Sequence, residues 1–248
     1  MNPALRKTLL DLAITVGLPV LILSPNLLGS GFSVAAALGG GQSGNIRAYL
    51  MSALIPVAYV LWDLLMGRNF SPIALFGGLS AVINGALAFW FVDGLWHALK
   101  DSVNAYLLGG LVLVSALTRT PLLKVFLQLL ALPSKPAHRA ALLAALEHPA
   151  MGRAFVVGSA VFGGLQLLLG AGNSVYNFLQ VTAPFGTEAF NAQVASVNAV
   201  VRLPSLLVGA GGFMAAFFVV ERQLKATYGP QASLAQPDSL AGAPSPAA

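Results

Sequence analysis

Six apolar runs, each close to the length a helix needs to cross a bilayer, constrain this chain more than any other feature of it: residues 8–28, 49–66, 72–92, 102–117, 154–169 and 200–220. A hydrocarbon core requires roughly 20 residues of helix to span it, and backbone immersed there must satisfy its N–H and C=O groups internally. The runs therefore predict an all-α fold, a polytopic transmembrane helix bundle of six spans. Only 8% of the residues are charged, against about a quarter in soluble domains, too few to coat a water-facing surface.

The basic residues set the orientation, because short loops rich in Lys and Arg stay cytoplasmic. With the N-terminus inside, all thirteen are accounted for: Arg47 and Lys100 fall outside, Arg202 lies within the last span, and the rest are inside. Both termini are then cytoplasmic. The net charge of +5 is spread between the apolar runs and not gathered on one face, which argues against nucleic acid as a partner. Cysteine is absent, so disulfides, thiolate metal ligands and a cysteine nucleophile are excluded. Arg6 and Lys7 before an apolar stretch, with small residues at 35–37, also fit a cleaved signal peptide; Asp11, Pro19 and the near-spanning length favour a retained helix.

The third run has the clearest start, with Ser71 placed to cap and Pro72 in the first turn. Residues 94–101 extend the fourth as a polar-ended helix at the membrane surface. Between the runs, residues 29–44 read as a flexible, Gly/Ser-rich external loop. Residues 118–153 read as a cytoplasmic elbow, its apolar stretch 122–132 lying in the membrane interface until Pro133 and Pro136 break it. After Tyr228 the composition turns to Pro, Ala, Ser, Gly and Gln, which predicts a transmembrane domain over 1–228 and a disordered tail over 229–248. Gly67-Arg68-Asn69-Phe70 with Phe76-Gly77-Gly78-Leu79 parallels Gly152-Arg153-Ala154-Phe155 with Phe162-Gly163-Gly164-Leu165. Ser102-Val103-Asn104-Ala105 likewise parallels Ser196-Val197-Asn198-Ala199, so helices 3–4 and 5–6 form a candidate hairpin repeat.

Arg68 and Pro72 before the third helix, then Asp93, Asp101-Ser102, Gly109-Gly110, Ser115 and Pro121-Leu122, form a recurring pattern. In these residues the chain resembles an uncharacterised bacterial family of six-span proteins related to the intracellular septation protein A group, over residues 9–225. The resemblance implies the bacterial inner membrane, no established activity, and an envelope role by analogy alone.

Polar residues inside spans are the leads to function, since a charge in lipid costs at least about 2.5 kcal/mol and so faces the bundle interior or a hydrated cavity. The substrate-binding or permeation candidates are Asp63, Asn84, Asp101, Asn104, Asn198 and Arg202. The competing reading of Asp63 is a salt bridge to Arg68 or Arg119, and that of the asparagines, Asn173 and Asn177 included, is helix-to-helix hydrogen bonding. Asn191, Asn198, Arg202 and Ser205 share one helical face. That face predicts an inward Arg202 paired with Asp101 or Asp93, the rival being a guanidinium that snorkels to headgroups. His97, His138 and His148 read as solvated residues at membrane edges or in the loop.

No metal set, cofactor motif or catalytic constellation is visible, so the chain is read as a non-enzyme. The leading function is a transporter of a small solute or ion. The alternative is a structural partner in envelope assembly or division, docking through the elbow. Lipid is the expected partner in either case, with a homo-oligomer or an envelope protein beside it.

Overall fold

The computed structural model describes residues 6, 10–11, 13–66, 72–129 and 136–240; Ser71, Arg68, Gly67–Phe70, Lys135, Pro133 and the tail beyond Leu240 lie outside the described residues. Among the described residues there is helix and no strand. The order is α1 (Ala13–Leu23), α2 (Gly41–Met66), α3 (Pro72–Ala88), α4 (Gly94–Asp101), α5 (Val103–Ser115), α6 (Leu122–Leu129), α7 (Pro136–Glu147), α8 (Gly152–Gln180) and α9 (Glu188–Tyr228).

Among the described residues, three helices are long and apolar enough to cross a membrane: α2, α8 with its leading turn, and α9. In the most apolar windows of α2 and α9 only 11% and 17% of the residues are buried within the protein. Leu168, Leu179, Leu203, Leu206 and Leu207 are all exposed. Surfaces so apolar and so little covered are suited to lipid. The apolar runs at 8–28, 72–92 and 102–117 contain the shorter apolar helices Ala13–Leu23, Gly78–Ala88 and Val103–Ser115.

Each long helix has a local reason to start or stop. Thr187 Oγ1 accepts from the Phe190 N–H at 3.1 Å and Glu188 occupies the first turn, which caps α9 and complements its dipole. At its other end Gly229 adopts φ +97° and donates to the Lys225 carbonyl. Before α8, His148 Nδ1 accepts from the Ala150 N–H, so this histidine is a turn cap.

By their contacts the residues fall into two compact units. One unit comprises Met1–Asn104 with Ala171–Ser205, the other Ala105–Gly170 with Leu206–Ala248.

In the first unit α1 packs on α2, where the Tyr59 hydroxyl donates to Asp11 at 2.5 Å. The first apolar run is thus built into the fold. Asn191 on α9 donates to the Asn45 carbonyl on α2 at 2.9 Å. A core of Leu23, Tyr49, Val181, Phe190, Val194 and Val197 joins α1, α2 and α9.

In the second unit, the elbow helices and part of the segment after Tyr228 share one core. Leu123 and Leu127 of α6 are fully buried with Leu142 and Leu146 of α7 and Phe155, Phe162, Val220 and Leu224 of α8 and α9. Lys124 and Gln128 both donate to Glu147, at 2.6 and 3.2 Å, joining α6 to α7. Past Tyr228, Ala232, Leu234 and Leu240 enter the same core. Its turn Pro237–Leu240 packs on α7, and the Leu234 N–H donates to the buried Glu221 carboxylate at 2.7 Å. A few well-spaced apolar side chains outweigh the low-complexity composition between them. Glu221→Ala would strand that N–H, at a cost of about 1–3 kcal/mol. Residues 229–240 are then expected to become sensitive to proteolysis, read as faster cleavage of the tail in the variant than in the wild type.

The two halves of the candidate repeat have different settings. Ser102 ends α4 and the chain turns there, whereas Ser196–Ala199 lies inside the continuous α9. Gly78 closely faces Leu64, but its counterpart Gly164 has open space around its Cα.

Candidate functional site

Five of the six polar residues singled out from sequence line one cavity of about 340 Å³ in the first unit: Asn84 of α3, Asp101 of α4, Asn104 of α5, and Asn198 and Arg202 of α9. The sixth, Asp63, is exposed near the end of α2 and is not part of the lining. Apolar wall comes from α1, α2 and α3 through residues such as Val16, Val57 and Leu87. The volume is near the lower end of the roughly 300–1,000 Å³ range of ligand pockets, and polar and apolar residues share the lining about equally, which suits a small polar molecule.

Two helices beside the cavity depart from regular α-helical hydrogen bonding where they line it. Thr15 sits in a π-helical turn, Ala13–Gly17, a geometry that recurs at functional sites. Pro56, a lining residue inside α2, has no N–H to give the Ser52 carbonyl four residues earlier, and Ser52 also lines the cavity.

Two residues read as ordinary from the sequence prove central. Lys100 and His97, both on α4, line the cavity and are buried, 7% and 1% exposed. Lys100 Nζ donates to the Trp90 carbonyl at 2.7 Å and stands 5.2 Å from the centre of the Tyr49 ring, a cation–π contact. Burial lowers its pKa to about 8, opposed by the Asp101 carboxylate. His97 packs edge-on against Phe190 at 5.0 Å, and neither ring nitrogen has a hydrogen-bond partner. Burial lowers its pKa below the ordinary 6.5, with Asp101 and Asp93 opposing and Lys100 reinforcing, so the ring is neutral at pH 7. Nothing in the sequence marked these positions except that Lys100 was one of two basic residues on the sparsely charged side.

The C-terminal part of α8 holds α4 in place. Ser174 donates to the Ala98 carbonyl at 3.2 Å, and Asn177, 1% exposed, donates to Asp101 Oδ2 at 3.2 Å and to the Asn173 carbonyl at 3.0 Å. Asn173 itself donates to Ser205 on α9 at 3.1 Å. Asn173 and Asn177 are therefore helix-to-helix ties, whereas Asn84, Asn104 and Asn198 face the cavity.

Arg202 lines the cavity but does not pair with a carboxylate, which corrects the expected ion pair. Its Nη2 donates to the Thr15 carbonyl at 3.2 Å, and among the described residues it forms no salt bridge. The two expected partners accept from other donors: Asp101 from Asn177, and Asp93 from the Phe185 N–H at 3.2 Å. Those N–H groups need acceptors, while an exposed guanidinium can be solvated at little cost. The result is a cavity lined by two cations whose hydrogen bonds go to backbone carbonyls. Asn104 Oδ1 is a further buried atom there without a partner.

Comparison with known proteins finds no family model, no curated protein and no solved structure that matches the chain.

Proposed function

We propose that the chain is a six-span membrane protein that carries a small polar solute through the cavity of its first unit. One observation carries the reading: polar side chains from four separate helices converge on a single cavity of ligand-binding size. Supporting it, the π-turn of α1 and Pro56 inside the continuous α2 each disturb the regular backbone hydrogen bonding of a helix beside that cavity. In this reading α1, α3 and α5 complete the six spans, both termini are cytoplasmic, and the resemblance to the septation-protein-related family points to the bacterial inner membrane. The alternative is a structural partner in envelope assembly or division, for which the cytoplasmic elbow would be the docking surface.

Two arms of one reconstitution test this. With Ser30→Cys and Lys135→Cys introduced into a chain free of native cysteine, an impermeant maleimide added outside right-side-out vesicles is expected to label position 30 alone. External labelling at position 135 would overturn the topology. In proteoliposomes, a panel of labelled small polar solutes should include one taken up faster than into empty liposomes, with Asn198→Leu reducing that uptake. Uptake indistinguishable from empty liposomes across the panel would overturn the carrier reading.

A further inference from the structure

We propose that the solute of this cavity is a small organic anion that also carries a hydrogen-bond donor, of which a hydroxy-carboxylate is the simplest example. The inference deepens the carrier reading and depends on it for physiology, but binding is measurable apart from transport. The charge argument comes first. Lys100 and Arg202 line the cavity, Asp101 is the one acidic side chain in the lining, and Asp101 is engaged by Asn177. The lining thus carries one net positive charge, and each cation gives its hydrogen bond to a backbone carbonyl, while the Asp101 carboxylate near Lys100 favours the charged amine without forming a salt bridge to it. A buried ammonium with one carbonyl acceptor has two further N–H groups to satisfy, and a guanidinium has four. A carboxylate entering the cavity would accept from either in charge-assisted hydrogen bonds, among the strongest available.

The donor argument is independent. Asn104 Oδ1 is buried, without a partner, and accepts only. The neutral His97 imidazole offers one acceptor nitrogen and one donor, both unpartnered. Buried polar atoms are overwhelmingly paired in folded proteins, so two unfilled acceptors beside a cation-lined space call for a ligand hydroxyl or amine. A plain carboxylate would satisfy the cations and leave both acceptors empty. A cationic solute would add to the net positive charge of the lining, and a neutral one would give the buried Lys100 ammonium no charged acceptor beyond Asp101.

The test uses purified full-length protein in phosphatidylcholine nanodiscs and three matched probes: lactate, which has charge and hydroxyl; propionate, which lacks the hydroxyl; and lactamide, which lacks the charge. Lactate is expected to raise the unfolding midpoint with its concentration, with an affinity about tenfold or more above that of either analogue, one hydrogen bond or charge contact being worth at least that factor. Lys100→Gln should remove the preference for lactate over lactamide, and Asn104→Leu the preference for lactate over propionate. Either analogue matching lactate on the wild type, or no shift with any probe, overturns the proposal. The same chemistry is present in the glycerol-phosphate headgroup of an anionic lipid. Repeating the lactate titration in discs containing phosphatidylglycerol separates the sources: an unchanged shift assigns a free solute, an abolished one assigns the headgroup. Lactate binding without uptake would overturn the carrier reading alone, and uptake of lactamide in preference to lactate would overturn the anion assignment alone.

Discussion

Lactate affinity is expected to stay level below about pH 8 and to fall above it, by roughly tenfold or more by pH 9.5, because Lys100 has its pKa lowered to about 8 by burial. The protonated amine binds the anion, so binding raises the pKa of Lys100 in the complex. Between the free and bound values the complex holds the proton that the free protein has lost, and affinity drops by up to about tenfold per pH unit. The groups that face Lys100 are Asp101, His97 and Tyr49, with Arg202 elsewhere in the same lining. His97 is already neutral and does not titrate across this window. Lys100→Arg should bind as well at pH 9.5 as at pH 7, since an arginine stays charged throughout. A second measurement excludes general alkaline damage. With Lys100 lowered in the folded state from its ordinary 10.5, the unfolded chain binds more protons between about pH 8 and 10.5, so this group makes the ligand-free protein more stable as pH rises. Affinity falls while stability rises. An affinity flat to pH 9.5 in the wild type would remove Lys100 from the anion site.

Gly163→Val is expected to cost on the order of 3 kcal/mol, read as a large fall in the unfolding midpoint. A Cβ at this position would stand 2.7 Å from Leu113 Cγ and 2.9 Å from the Gly109 carbonyl, and one at Gly109 would meet the Gly163 carbonyl at 2.8 Å. The α5 and α8 backbones approach so closely that each glycine faces the other's carbonyl, the small-residue packing that lets membrane helices associate. A leucine side chain can turn aside, but a carbonyl in a helix cannot. Gly164→Val is the matched control, with open space at the same helical level, and should change stability by no more than about 0.5 kcal/mol. Equal effects of the two substitutions on the unfolding midpoint would mean that helix approach at Gly163 is not what limits packing.

Much of the helical layout was legible in the residues. Five of the apolar runs lie within, or reach little beyond, α2, α3, α5, α8 and α9, because hydropathy and helix geometry act over neighbouring positions. Helix ends were less legible. Residues 154–169 and 200–220 are only the most apolar parts of Gly152–Gln180 and Glu188–Tyr228, whose polar continuations carry Ser174, Asn177 and Asn191. The stripe Asn191, Asn198, Arg202 and Ser205 was visible as one face, and its contacts are made inside the first unit.

By itself, then, the sequence determined an all-helical chain, too apolar and too poorly charged for a soluble surface, with a short list of polar residues set among apolar ones. Tertiary structure alone decided which of them meet. Asn84, Asp101, Asn104, Asn198 and Arg202 come from four helices, and no spacing along the chain marks them as one lining. It also decided that Arg202 contacts the Thr15 carbonyl, 187 positions away, and that Leu234 leaves a low-complexity tail for a buried core. The emptiness of the His97 nitrogens is likewise a property of its surroundings and not of the residue. The physical reason is range. Hydropathy and helix formation are sums over near neighbours, whereas the partner of a polar atom is whichever group three-dimensional packing brings within about 3 Å.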